Sequence, residues 1–141
     1  MQLDELYRQV IMDHYMHPRN KGSMEGDVVS VDLKNPTCGD EITLQLQIKN
    51  GVVEDVRFSG TGCSISMASA SMMTEAVKGK PLSEALALSA EFRKLMKGQE
   101  VDEDLLGDLE SLGGVSKFPA RIKCATLSWN ALERSASTLA E

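Results

Sequence analysis

The residues of this sequence best suited to chemistry are its three cysteines, each at a point where one predicted element gives way to another. Cys38 precedes a predicted strand, Cys63 follows another strand and begins a helix, and Cys124 lies in the first two turns of the last helix. Helix amides would favour the thiolate of Cys63. We therefore favour a convergent three-thiolate site, with three separate buried thiols as the alternative.

A site of this kind would bind a metal. Three thiolates suit zinc, Cu(I) or an iron–sulfur cluster, and closed zinc sites use four ligands. The chain has no fourth cysteine, but Asp40 follows Cys38 by two residues and would point to the same side of an extended segment. The best four-ligand set is Cys38, Asp40, Cys63 and Cys124. A turn-capping role is the alternative for Asp40.

Glycines beside the cysteines, and bases near the last one, fit such a site. Gly39, Gly60 and Gly62 would let the backbone bend sharply and approach another group closely. Three thiolates, one carboxylate and a dication sum to a charge of about −2, which Arg121 and Lys123 would offset. Cys124 lies beside the apolar stripe of its helix rather than on it, which disfavours a packing role.

Two histidines are further candidates for ligands. His14 and His17 lie at or just beyond the end of the first predicted helix. Histidines at helix ends are more often satisfied surface or capping residues. Both are therefore left outside the site.

The hydrophobic periodicity predicts the elements that must position the cysteines. A helical pattern over residues 3–14 is followed by alternation over 29–33, 42–48 and 52–58, with Asn50-Gly51 as a hairpin turn. Val52, Val56 and Phe58 are expected on one face of the third strand. Helical patterns then cover 65–76, 82–96, 105–112 and 119–139, the third ended by Gly113-Gly114. This order predicts an α+β fold, a three-stranded antiparallel sheet with helices packed on one face.

Composition limits the remaining possibilities. The 141 residues, 42% of them hydrophobic, are expected to form one domain over residues 1–141. The net charge of −6 comes from an acidic stretch over 99–116, interpreted as a solvated helix face or a partner-docking surface. The sequence has no cluster of bases and no apolar run long enough to span a membrane, and we expect no signal peptide from its first residues. We therefore expect no nucleic acid or membrane partner, and a cytoplasmic protein with reduced thiols.

Several motifs together carry a resemblance that covers nearly the whole chain. They are His17-Pro18-Arg19-Asn20-Lys21-Gly22, Asn35-Pro36-Thr37-Cys38-Gly39-Asp40, Gly60-Thr61-Gly62-Cys63-Ser64-Ile65-Ser66 and Arg121-Ile122-Lys123-Cys124-Ala125. The sequence resembles the U-type iron–sulfur cluster assembly proteins (the IscU/NifU N-terminal-like family), and within them the SufU branch.

The resemblance implies a function and a role for each site residue. It implies an α+β sandwich whose Cys38, Asp40, Cys63 and Cys124 bind zinc. It also implies that Cys38 accepts persulfide sulfur from a SufS-type, PLP-dependent cysteine desulfurase and passes it to downstream iron–sulfur assembly machinery. Arg121 would help to dock the desulfurase or balance the charge of the site. The protein would then be a zinc-dependent sulfurtransferase.

Departures from the IscU-type scaffolds favour the SufU branch. Lys123 stands where those scaffolds have a histidine, and 60 residues separate Cys63 from Cys124, with the acidic segment near 99–114 as the expected insertion. Lys117-Phe118-Pro119-Ala120-Arg121 replaces their chaperone-recognition stretch. A scaffold for a [2Fe–2S] cluster, or an iron site, is the alternative function. A purely structural zinc site is disfavoured, because Asp40 would be a poor permanent fourth ligand.

Overall fold

A computed structural model describes residues 2–36 and 39–140 of the chain, and the side chains of 8–36 and 39–138. The elements, in chain order, are α1 (Gln2–Met16), β1 (Val29–Asn35), β2 (Asp40–Lys49), β3 (Val52–Thr61), α2 (Ser64–Val77), α3 (Leu82–Met96), α4 (Glu103–Leu106), a 3₁₀ helix (Gly107–Lys117) and α5 (Pro119–Ala140). Strands followed by helices confirm the predicted α+β class.

The three strands form an antiparallel sheet in the order β1-β2-β3. The hairpin between β2 and β3 turns at Asn50 and Gly51, which adopt φ values of +53° and +76°. Two consecutive positive φ values match the right-handed twist of the strands, so this turn is the one that the sequence predicts. In the resulting register Ile42 pairs with Gly60, close to the end of β3 that leads to Cys63.

One detail of β3 differs from the sequence prediction. Gln47 pairs with Asp55 while Ile48 pairs with Val53, so Glu54 is an extra residue that forms a β-bulge. Val53 is therefore fully buried together with Val56 and Phe58, whereas Val52 is only half-buried. The expectation that Val52 shares the buried face is wrong, because one inserted residue shifts the alternation of every residue before it.

The buried core lies between the sheet and its helices. Helix α5 contacts β1 and β2, and helix α2 contacts β3 and α5. The alternation along β2 buries Ile42, Leu44 and Leu46 under these helices, as the sequence predicts. Helix α3 is joined to α5 by the stacked rings of Phe92 and Trp129, whose centroids are 4.9 Å apart. The sheet and helices thus form an apolar core on which the cysteine loops are mounted.

The acidic segment is not the single short helix that the sequence predicts. Helix α4 ends at Leu106, and a 3₁₀ helix continues through Gly113-Gly114 to Lys117. The apolar residues that α4 and the 3₁₀ helix bury recur every third position: Leu106, Leu109, Leu112 and Val115. A spacing of three matches the 3₁₀ period, so this arrangement keeps one apolar face on the core while Asp108 stays exposed. Pro119 begins α5, as expected for a first-turn residue.

His14 is buried, contrary to the surface or capping position expected for it. Its side chain is 3% exposed, and Nδ1 lies 2.8 Å from the hydroxyl of Ser71 in α2. The same hydroxyl accepts a hydrogen bond of 2.9 Å from the backbone N–H of Arg19. Ser71 therefore ties both α1 and the segment after it to α2. Helix-end statistics fail here because the final turn of α1 packs against another helix.

We expect this contact to make folding stability depend on pH. Burial, followed by the charge of Arg19, lowers the pKa of His14 below its ordinary value of 6.5, although Glu75, Asp13 and Asp108 oppose the shift. The unfolded chain then binds the proton more readily, so the contribution is complete above the ordinary pKa of about 6.5 and is lost as the pH falls from there through the lower pKa of the folded state. Urea midpoints measured at about pH 8 and about pH 5 should show the decrease.

The control for this experiment is the exposed His17. His14→Gln should lower stability at high pH and flatten its dependence between the two pH values, whereas His17→Gln should leave the wild-type dependence in place. A wild-type slope in His14→Gln would show that another group controls the transition.

Candidate metal centre

Three of the four residues in the sequence-predicted ligand set come together in the structure. Asp40 begins β2, Cys63 lies between β3 and α2, and Cys124 lies in α5. One ligand atom from each lies within 4.8 Å of the others. Asp40 and Cys124 are buried, and Cys63 is half-buried. The fourth predicted ligand, Cys38, lies outside the described residues, two positions before Asp40.

Asp40 connects the sheet to the Cys63 loop. Its Oδ1 accepts a hydrogen bond of 2.9 Å from the backbone N–H of Cys63, and its Oδ2 lies 4.0 Å from the Cys63 sulfur. In this hydrogen bond Asp40 does not cap a local turn, because the donor is 23 residues away. One carboxylate oxygen anchors the loop, which leaves the other facing the thiol.

The glycines before Cys63 allow this close approach. A Cβ on Gly62 would lie 2.7 Å from Asp40 Oδ1, a distance that real Cβ atoms essentially never show. Gly60 adopts φ +130°, and a Cβ there would collide with the carbonyl of Glu41. The sequence analysis predicted that these glycines let the backbone approach another group closely. In the structure Gly60 approaches the β2 backbone and Gly62 approaches the Asp40 side chain.

Cys63 is the N-cap of α2. Its backbone is extended (φ −70°, ψ 168°), and its sulfur accepts a hydrogen bond of 3.5 Å from the backbone N–H of Ser66. Placing the sulfur at the amide end of the helix surrounds it with positive partial charge, which favours an anionic ligand atom.

Cys124 is fully buried, which corrects the interpretation that it lies away from the packed side of α5. Helix α5 contacts β1, β2 and α2, and residues 124–129 are all buried, so a residue next to the apolar stripe is covered as well. The sulfur lies 3.9 Å from the amide nitrogen of Asn35 and 3.9 Å from the carbonyl oxygen of Ala120. Burial alone does not separate Cys124 from a packing cysteine; its position beside Asp40 and Cys63 does.

Asn35 is a neighbour of the site that the sequence patterns did not single out. It is 6% exposed at the end of β1, where its amide can donate to the Cys124 sulfur. The available signal was its register. Val31, Leu33 and Asn35 alternate along β1, so a polar residue occupies an inward-facing position just before the Cys38 loop.

The chain just before Asp40 is not extended, and the two bases near Cys124 are exposed. Gly39 adopts φ +73°, so the chain between Cys38 and Asp40 is not extended, and the same-side argument for those two residues does not apply. Arg121 and Lys123 are exposed, and neither side chain forms a salt bridge with any residue in 2–36 or 39–140.

The donor set fits a zinc ion. Zinc binds thiolate sulfur at about 2.3 Å and carboxylate oxygen at about 2.0–2.2 Å, so tetrahedral ligand atoms are about 3.5–3.8 Å apart. The 4.0 Å between Cys63 Sγ and Asp40 Oδ2 needs only a small contraction. The Cys63 side chain is a free thiol. A fourth ligand from the adjacent Cys38 would complete the set.

Comparison with known proteins gives the class of this chain. Residues 6–125 match the NifU-like N terminal domain, and the chain belongs to that family. Within the part that the structure describes, no helix is both long and apolar enough to cross a membrane.

Individual relatives within the family are similar over most of the chain. The zinc-dependent sulfurtransferase SufU of Bacillus subtilis (strain 168) is 62% identical, covering 94% of this chain and 90% of its own. The iron–sulfur cluster assembly scaffold protein IscU of Streptococcus pyogenes serotype M1 is 49% identical, covering 94% and 84%.

A solved structure supports the same grouping. The crystal structure of a protein described as an iron–sulfur cluster assembly scaffold for the SUF system, from Fervidobacterium islandicum AW-1, is 36% identical with a TM-score of 0.79. The match covers 89% of this chain and 93% of that one.

Proposed function

We propose that this protein is a zinc-dependent sulfurtransferase that accepts persulfide sulfur from a cysteine desulfurase during iron–sulfur cluster assembly. The observation that carries the proposal is the group of Asp40, Cys63 and Cys124 beside the loop that bears Cys38. The 62% identity to a protein named as a zinc-dependent sulfurtransferase supports it over the alternative, since the scaffold relative is 49% identical.

Zinc would be held by Cys38, Asp40, Cys63 and Cys124. Bound zinc supplies thiolates that are deprotonated near neutral pH without itself changing oxidation state. Asp40 and Cys63 hold each other in place through the hydrogen bond between them, and Cys124 is fixed by the packing of α5. Cys38 is the remaining thiol, and its loop lies between β1 and β2. We assign the acceptor role to Cys38 for that reason.

The transfer step exchanges one sulfur–sulfur bond for another. The Cys38 thiolate attacks the terminal sulfur of the donor's persulfide, Cys–S–SH. A new bond forms between the two sulfurs, the bond within the donor persulfide breaks, and the donor cysteine leaves as a thiolate. The proton stays on the transferred sulfur. No oxidant or reductant is consumed, so the reaction needs only the two proteins.

The donor in this proposal is a SufS-type, PLP-dependent cysteine desulfurase, and the sulfur passes onward to iron–sulfur assembly machinery. The exposed Arg121 helps to dock that donor or offsets the charge of the ligands. A centre of reduced thiols requires a reducing compartment, so we place the protein in the cytoplasm.

The alternative function is a scaffold for a [2Fe–2S] cluster. The S. pyogenes relative named as a scaffold favours it, and thiolates with one carboxylate also suit iron–sulfur chemistry. The two functions differ in what the protein does to a desulfurase. A sulfur acceptor speeds turnover in the absence of iron, whereas a scaffold forms a coloured cluster when iron and sulfide are supplied anaerobically.

The deciding experiment follows alanine release by a SufS-type desulfurase under a mild reductant. Catalytic amounts of the zinc-loaded protein should increase turnover several-fold, because the persulfide is removed after each cycle. Chelation should abolish the increase, and added zinc should restore it. If turnover is unchanged while anaerobic reconstitution yields a stable cluster, the scaffold function is correct.

Chelation also tests whether zinc is only structural. The core between the sheet, α2 and α5 is made of apolar side chains and does not depend on the ligand group. We therefore expect far-UV circular dichroism to retain most of its helical signal after zinc removal, while sulfur acceptance is lost. Cooperative loss of the helical signal on chelation would instead identify a folding role for the metal.

A further inference from the structure

A groove beside the ligand group is not used by the chemistry described above. It has a volume of about 590 Å³ and lies between α1, the start of α2 and the end of the 3₁₀ helix. Ile11, Ile65 and Val115 contribute apolar side chains to it. Ser64 and Ile65 line the groove and directly follow Cys63 in the chain, so the groove lies beside the N-cap of α2.

Large apolar side chains are exposed at this groove. Phe118 is 62% exposed and Met12 is 40% exposed, and both line it. Tyr15 and Met16, also exposed, continue the apolar surface along α1. In the described part of the chain, Leu105 is the only exposed large apolar side chain that is neither in α1 nor at Phe118. Apolar exposure concentrated at one place is typical of a protein interaction surface.

The rim of the groove is basic, although the chain as a whole is acidic. Arg8 and Lys117 line the groove and are exposed. Neither forms a salt bridge with another residue among those described. The net charge of the protein is −6, so cations without a partner at an apolar groove favour an occupant that carries carboxylates.

We propose that this groove docks a segment of the sulfur-donor protein that carries a large apolar side chain flanked by carboxylates. The inference rests on the proposed function, since sulfur transfer requires the donor persulfide to reach the thiols. The apolar side chain fills the space between Ile65 and Phe118, and the carboxylates pair with Arg8 and Lys117. Docking here brings the donor next to Cys63 and the adjoining ligands.

Two substitutions test the groove, each with a matched control elsewhere on the surface. Phe118→Ala removes an apolar contact and is compared with Leu105→Ala, which removes an exposed leucine from the acidic segment. Lys117→Glu reverses a rim charge and is compared with Arg134→Glu. Arg134 is exposed in α5, about 22 Å along the helix from Pro119.

The measurements are the half-saturating concentration for desulfurase stimulation and the Kd for desulfurase from calorimetry, with zinc content and circular dichroism recorded for every variant. Phe118→Ala and Lys117→Glu should each raise both concentrations by about tenfold or more, with the maximal rate at saturation retained. The Lys117→Glu effect should shrink at high salt. Both controls should behave as wild type. Arg8→Glu provides a second rim variant if Lys117→Glu loses zinc.

The outcomes separate this inference from the proposed function. If the wild-type protein stimulates the desulfurase but the groove variants bind it with wild-type Kd, the groove is not the docking site and the sulfurtransferase function stands. If the wild-type protein neither binds nor stimulates the desulfurase, the proposed function fails, and this inference fails with it. If the variants weaken only self-association, the occupant is a second copy of the chain.

Discussion

Cys38→Ala is expected to reduce persulfide acceptance by more than about a hundredfold, since it removes the proposed nucleophile. Asp40, Cys63 and Cys124 remain, and their positions are fixed by β2, the N-cap of α2 and α5, so the fold should be unchanged. The measurement is mass spectrometry of the protein after incubation with desulfurase and cysteine without reductant. The wild-type protein should gain the mass of one sulfur atom, and the variant should not.

The control for this result is the Cys63→Ala variant. That variant loses the sulfur that caps α2, so we expect weaker metal binding and lower stability together with impaired transfer. Cys38→Ala should instead lose transfer while its thermal midpoint stays close to wild type. Sulfur acceptance at the full rate by Cys38→Ala would show that another thiol is the acceptor, and Cys63, the half-buried one, would be next to test.

Gly62→Ala is expected to weaken zinc binding by about 10- to 100-fold, as loss of a group that orients a ligand commonly does. Gly62 does not adopt a positive φ, so the backbone itself accepts alanine. The added Cβ would lie 2.7 Å from Asp40 Oδ1 and must displace the carboxylate that holds Cys63. Competition with a chromophoric chelator would measure the change in affinity.

Gly114→Ala is the matched control for this prediction. A Cβ on Gly114 meets no atom within 4 Å, and its φ is not positive. This variant should bind zinc as the wild-type protein does, so any general effect of a glycine-to-alanine change is accounted for. Equal zinc affinity in Gly62→Ala and wild type would mean that the contact between Asp40 and the Cys63 loop does not set the geometry of the site.

Local signals in the sequence were sufficient for most of the fold. The alternation over residues 42–48 and the Asn50-Gly51 pair defined the sheet and its hairpin, because pleat geometry and turn torsions depend on neighbouring residues. The regular spacing of apolar residues after Pro119 defined α5 for a similar reason. Where an apolar run recurs every three residues, as from Leu106 to Val115, the same local pattern fits more than one helix type.

Three other errors involve contacts between residues distant in the chain. The β-bulge at Glu54 depends on how β3 pairs with β2, and the burial of His14 depends on α1 meeting Ser71. Cys124 is buried because β1, β2 and α2 all pack against α5, which the periodicity of α5 by itself does not reveal. None of these arrangements is encoded in the spacing within a single element.

For the candidate site, too, the sequence and the tertiary structure supply different information. The sequence by itself determined which residues could act, since cysteine, aspartate and glycine were identified by their chemical type and by their positions at the ends of elements. Only the tertiary structure decided that Asp40 both anchors the Cys63 loop and faces its thiol, and that Gly62 must lack a side chain there. The physical reason is that ligand geometry depends on distances between β2, α2 and α5, which are set by packing across the core.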